Sequence, residues 1–322
     1  MGQVQPPRPP VVAPTFSHAA ETFLVAHTLP GAWSPGTAVK YRQTLTALAD
    51  RLVGVDLGTL DSPAGAARLA AAFSAAFGGL APATRARHLS TLRSALAWWR
   101  QTGWITGDPT TGWPRPKIAV DTTRALTRDQ VATLFCLDVS LREKALWRLL
   151  YETAARAEEI LTLDIGDIDT ASKRARVVSK GGSTDWVFWQ TGAALLLPRL
   201  LAGRTRGPVF LADRRPTRPV PTGDLCPTTG RARLSYRRAA ELFAAATRPL
   251  ASPVGGADGW TLHQLRHAML THEAEAGTNT PTLLARSRHA SVRSLERYAR
   301  PGPDAVAAHM AATDPAARRR HY

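Results

Sequence analysis

The chain has 322 residues, 44% of them hydrophobic, which is enough for two domains with separate cores. Its 41 basic and 25 acidic side chains leave a formal net charge of +16, which favours a polyanionic partner, above all nucleic acid. Cys136 and Cys226 are too few and too far apart for a disulfide framework or a zinc motif, and no apolar run reaches the 18 residues of a membrane span. A reducing cytoplasm fits this composition. No membrane partner and no secretory leader are expected.

Residues 1–14 hold five prolines and read as an extended tail. A first helix follows over 16–27, with Phe16, Ala19, Ala20, Phe23 and Leu24 at helical spacing. Ser34-Pro35 supplies a cap and a first residue for a second helix, with Tyr41, Leu45, Leu48 and Leu52 on one face. A third starts near Ser62-Pro63, buries Leu69, Phe73 and Phe77, and stops at Gly78-Gly79. The fourth runs from Pro82 to about Thr102, with Leu89, Leu92, Leu96 and Trp99 inward. Arg85, Arg87, Arg93 and Arg100 form its basic complement, a candidate DNA-binding face. These four helices make a first domain over 15–107. The Pro-, Gly- and Thr-rich stretch 108–122 reads as a linker.

The second domain, 123–303, opens on a helix that Thr127 can cap, followed by a helix over about 141–154. Two β-type runs, 174–179 and 186–190, flank Gly181-Gly182 and predict a hairpin with Lys180 at its turn, in a sheet of at most three strands. Helices return over 193–202 and 235–247, separated by a loop over 205–230. Thr261 and Gln264 match a capping box for a helix over 262–276 ending at Gly277, on which His263 and Arg266 share a face beside an apolar stripe of Leu262, Leu265 and Met269. The fold class is mainly α with one small antiparallel sheet.

Six residues then stand in order: Arg156 in ARAEEIL, Lys180 in VSKGG, His263 and Arg266 in HQLRH, His289, and Tyr298 nine residues further on. Taken singly, each has an ordinary reading as a surface ion pair, a solvated lysine or a packing aromatic; the ordered set is specific. It resembles the tyrosine recombinase, or phage integrase, family over about residues 15–305. Arg156 matches the first-box arginine, Glu159 its supporting acid, Lys180 the hairpin lysine, His263 and Arg266 the second box, His289 the last histidine, and Tyr298 the nucleophile. Two positions depart from the family pattern. Arg288 stands where glycine is usual, and Leu295 where threonine is frequent. His267, His272 and Glu273 read as structural or supporting residues.

The resemblance implies a four-helix SAM-like core-binding domain followed by an α/β catalytic domain, acting on double-stranded DNA as a homo-tetramer bound to two sites. It also implies a C-terminal segment, 304–322, exchanged between subunits; the 14 residues before the first helix are too few to fold, so a simple type without an arm-binding domain is expected. The chemistry of the residues agrees. Paired guanidinium N–H donors suit the charge that grows on phosphate oxygens during attack, and a tyrosine of ordinary pKa near 10 needs such a positive field to become a nucleophile. A lysine at a hairpin tip can protonate a departing 5′ oxygen. No metal and no other cofactor is expected, since the covalent link conserves bond energy and neither a P-loop nor a carboxylate cluster is present. Rival readings are a type IB topoisomerase, a telomere resolvase, or a DNA-binding protein that has lost catalysis. The short, separate first domain argues against the first two, and the intact catalytic set against the third.

Overall fold

The computed structural model describes residues 13–29, 32–116, 125–178, 182–251, 258–288, 291–292, 295, 307, 310–311 and 314. The chain divides into two compact units, Met1–Val120 and Asp121–Tyr322.

In the first unit the helices are α1 (Phe16–Thr28), α2 (Pro35–Ala49), α3 (Pro63–Phe77) and α4 (Pro82–Gln101). Small hydroxyl residues start three of them: the side chains of Thr15, Ser34 and Ser62 accept the N–H of His18, Thr37 and Gly65. The apolar stripes meet in one core that includes Phe16, Phe23, Leu45, Leu48, Leu69, Phe73, Leu92 and Trp99. Trp99 is fully buried, packs edge-on to Phe16 with ring centroids 5.3 Å apart, and donates its indole N–H to the Ala19 carbonyl at 3.1 Å. That hydrogen bond satisfies the ring's one polar atom, which makes its full burial tolerable.

The expected linker begins later than its composition suggests. Thr110 is 1% exposed, its N–H and hydroxyl bind the Asp108 carboxylate at 2.9 and 2.7 Å, and Trp113 packs on Phe73 with centroids 5.4 Å apart. Arg93 donates from Nε to the Thr110 hydroxyl at 3.1 Å and from Nη2 to the Trp113 carbonyl at 3.2 Å, so residues 108–113 belong to the first unit. The prolines and glycines there are visible in sequence, but not the arginine that binds the Thr110 and Trp113 carbonyls.

The second unit contains α5 (Arg128–Cys136), α6 (Leu141–Thr153), the single turn α7 (Ala157–Leu161), α8 (Thr191–Leu201), α9 (Tyr236–Thr247), α10 (Leu262–Glu275) and α11 (Thr280–Ser287). Strands β1 (Ile168–Asp169), β2 (Arg174–Val178) and β3 (Thr184–Phe188) form one antiparallel sheet in the order β1-β2-β3. Alternation sets its faces: Ala175, Val177 and Val187 enter the core while Arg176 and Val178 face out. The β2–β3 register closes on the pair Val178↔Thr184, and the hairpin turn at 179–181 lies outside the described residues.

The core of this unit gathers Leu146, Trp147, Leu149 and Leu150 of α6 with Leu197, Phe210, Phe243 and Leu265. Arg233 ties the end of the loop over 205–230 to the segment after α7. Its guanidinium binds Asp224 at 2.7 Å, Asp164 at 2.8 Å and the carbonyls of Leu161 and Leu163 at 3.2 and 3.0 Å. Gly259 takes φ +91°, and a Cβ there would lie 2.1 Å from the Ala244 carbonyl oxygen, so the approach to α10 is open only to glycine.

Candidate active site

The site is built from the junction of α6 with α7, from α10, and from the end of α11. Helix α6 stops at Ala154, which adopts the left-handed conformation with φ 50°. The chain then turns through Ala155 to Arg156, the residue that precedes α7. The Arg156 N–H donates to Glu159 Oε2 at 2.9 Å and its Nη1 to Oε1 at 2.8 Å, so one carboxylate fixes both the backbone and the side chain of this arginine. Glu159 is 5% exposed at its side chain, whereas the Arg156 side chain is 43% exposed. The result is a guanidinium held from behind and open in front. Burial works against ionisation of Glu159, but the positive charge of Arg288 and the hydrogen bonds from Arg156 outweigh it and hold the carboxyl below its ordinary value.

Helix α10 is started as expected, with the Thr261 N–H bound to Gln264 Oε1 at 2.7 Å. The placement of its two motif residues differs from the expectation that they point together. His263 is exposed on the first turn, its ring edge-on to that of the buried His267 at 4.5 Å. Arg266 is only 2% exposed. Its Nη1 donates to the Ala154 carbonyl and its Nη2 to the Ser287 carbonyl at 2.5 Å. A planar fork suits this task because two fixed donors can reach two separate chain ends at once. Both carbonyls sit at helix C-termini, where backbone acceptors lack intrahelical partners. Further along α10, His272 Nδ1 is 2.8 Å from the Tyr151 hydroxyl, and Glu273 pairs with Arg286 at 2.9 Å. Burial, reinforced by the Arg128 charge, pushes the His272 imidazole below its ordinary pKa. These contacts are structural.

After α11 the chain turns at Arg288, with φ 53°. This is the position at which glycine is usual in the family, and the left-handed backbone supplies the reason. Here an arginine accepts that conformation, and its side chain, 5% exposed, runs back to pair with Glu159. Leu295, the other departure, is fully buried in a small cluster with Ala154, Met269, Leu270 and Leu283. Lys180, His289 and Tyr298 lie outside the described residues, as does most of the segment 304–322. The structure thus brings Arg156, Glu159 and Arg266 into one region and adds Arg288, which sequence reasoning named only as a departure. The signal was present: a cation in a glycine position needs a buried anion to hold it.

The arginines of α4 divide. Arg87 and Arg100 are exposed, with Arg100 4.0 Å from Asp108, while Arg85 binds the Gly78 carbonyl at 3.1 Å and Arg93 is turned onto residues 110–113.

The phage integrase family pattern matches residues 124–303. Tyrosine recombinase XerC of Mycobacterium sp. strain KMS is 28% identical over 267 residues, covering 77% of this chain and 81% of that protein. XerC of Mycobacterium tuberculosis is 29% identical over 236 residues, covering 68% and 73%. Among solved structures, a lambda integrase dimer bound to a COC' core site aligns with TM-score 0.68 at 17% identity, covering 88% of this chain and 95% of that one. The Tn1549 transposon integrase in complex with a circular intermediate DNA aligns with TM-score 0.67 at 16% identity, covering 92% and 99%. At such identity the structural likeness speaks for the fold, and the family match over more than half of the chain speaks for descent. The chain therefore belongs to the phage integrase family of tyrosine recombinases.

Proposed function

We propose that the protein cuts and rejoins duplex DNA at a specific site through a 3′-phosphotyrosyl intermediate. The Tyr298 hydroxyl gives its proton to His263 as its oxygen attacks the scissile phosphorus, the bond from phosphorus to the 5′ oxygen breaks, and that oxygen takes a proton from Lys180. A 5′-hydroxyl from the partner strand then reverses the step, so no external energy source enters. Arg156, open at its outer face, supplies positive charge and N–H donors to the phosphate as charge grows on its oxygens, while buried Arg266 adds positive charge from behind and holds the two chain ends; His289 is assigned to the same site by its match to the motif. The observation that carries this reading is the convergence of the motif segments: Arg266 ties Ala154, two residues before Arg156, to Ser287, two residues before His289.

Duplex DNA is the partner. Integrases of similar fold have been solved on DNA, one of them as a lambda integrase tetramer bound to a Holliday junction. We assign the first unit to core-site binding, with Arg87 and Arg100 toward the phosphates, the second unit to catalysis, and a tetramer on two sites to the exchange reaction. A nicked duplex containing a sequence that the protein selects from a random pool provides the test. A covalent adduct is expected with the native chain and none with Tyr298→Phe. An adduct that persists in Tyr298→Phe refutes the assignment of the nucleophile.

A further inference from the structure

We infer that Arg288 is a positioning residue for cleavage, acting through Glu159 on Arg156; this rests on the recombinase reading above. Glu159 Oε1 is occupied by Arg156 Nη1, and Oε2 is shared by the Arg156 N–H and Arg288 Nη2. With one arginine only, the carboxylate would neutralise the guanidinium it orients. A second buried cation offsets that charge. The group Arg156, Glu159 and Arg288 therefore retains a net positive charge beside the open face of Arg156, in surroundings where Coulomb terms are large.

Arg288 does not do this by touching DNA: its side chain is 5% exposed. Its Nε has no hydrogen-bond partner among the described residues, and its Nη1 reaches only the Arg286 carbonyl at 3.3 Å. The pairing with Glu159 is thus its main polar contact. It is maintained although arginine at φ 53° is strained relative to glycine, the usual occupant of such a position. The Glu159 pairing is the contact that offsets this strain.

Arg288→Gly separates the two roles of this residue, since glycine keeps the turn and removes the cation. Single-turnover cleavage at saturating nicked duplex should fall by about 10- to 100-fold, the scale of a small misplacement of a catalytic group, with DNA affinity changed less than threefold. Arg288→Lys, which keeps the charge but not the fork, should lie between Arg288→Gly and the native chain. In a Glu159→Gln background the Arg288→Gly change should cost less than threefold, because the group it acts through is gone. Losses that multiply in the double variant overturn the inference, as does native-like cleavage by a folded Arg288→Gly. If Arg288→Gly does not fold, the Arg288→Lys cleavage rate decides, and a native rate there counts against the proposal. Failure of the recombinase reading itself is recognised separately, by absence of a Tyr298 adduct with the native chain.

Discussion

Replacing Arg266 by alanine should damage folding as well as catalysis, in contrast with Arg156→Ala. Arg266 is 2% exposed and spans two carbonyls, Ala154 and Ser287, that end α6 and α11. Each hydrogen bond from a charged donor contributes about 1.5–3 kcal/mol, so the loss of both amounts to about 3–6 kcal/mol. That is a large share of the 5–15 kcal/mol that typically stabilises a domain. For a unit of about 200 residues, at roughly 2–4 °C per kcal/mol, the melting temperature should fall by on the order of 10 °C. The Arg156 side chain is 43% exposed and its removal leaves Glu159 still paired with Arg288, so that variant should melt within about 3 °C of the native chain while losing cleavage. Thermal melts followed by circular dichroism, run beside cleavage of the nicked duplex, measure both quantities. An Arg266→Ala protein with native melting temperature would refute the clamp.

Gly259→Ala should destabilise the second unit by about 3 kcal/mol or more, since alanine at φ +91° is strained and its Cβ would meet the Ala244 carbonyl at 2.1 Å; urea denaturation measures it, and an unchanged midpoint would show that the segment entering α10 can shift. Asp61 tests pH dependence. Burial raises its pKa, but the N–H groups of Gly107 and Thr106 and the Thr106 hydroxyl bind the carboxylate and bring the net shift below the ordinary value. A carboxyl with a depressed folded pKa contributes stability that is present above its unfolded value, near pH 4, and lost as pH falls through the folded value. Asp61→Asn should therefore melt lower than the native chain at pH 7, with the difference closing below about pH 4; a gap that stays constant down to pH 3 would rule out ionisation of Asp61 as its source.

Much of the secondary structure was legible because its signals are local. Ser34, Ser62, Thr127 and Thr261 stand directly before their helices, and the apolar stripes of α1 to α4 repeat at helical spacing, so a reader of the chain needs no distant residue to place them. The hairpin around residues 179–181 announced itself by two β-type runs and a Gly pair. The order of Arg156, Lys180, His263, Arg266, His289 and Tyr298 carried the family resemblance. Helices α7 and α11 escaped notice, since five and eight residues are too short for a periodic signal, although Asn279 with Pro281 is as local a start as Ser34 with Pro35.

Only the tertiary structure decided what the arginines do. Arg266 reads in sequence as half of a motif, yet its partners are carbonyls 112 and 21 residues away, and a carbonyl has no residue type by which to recognise it. Arg93 looked like part of a basic face until residues 110–113 came to lie against it. Arg288 and Glu159, 129 residues apart, are joined because α6, α10 and α11 pack their ends together. Long-range pairing of this kind is set by the packing of helices on a shared core, and no local propensity encodes it.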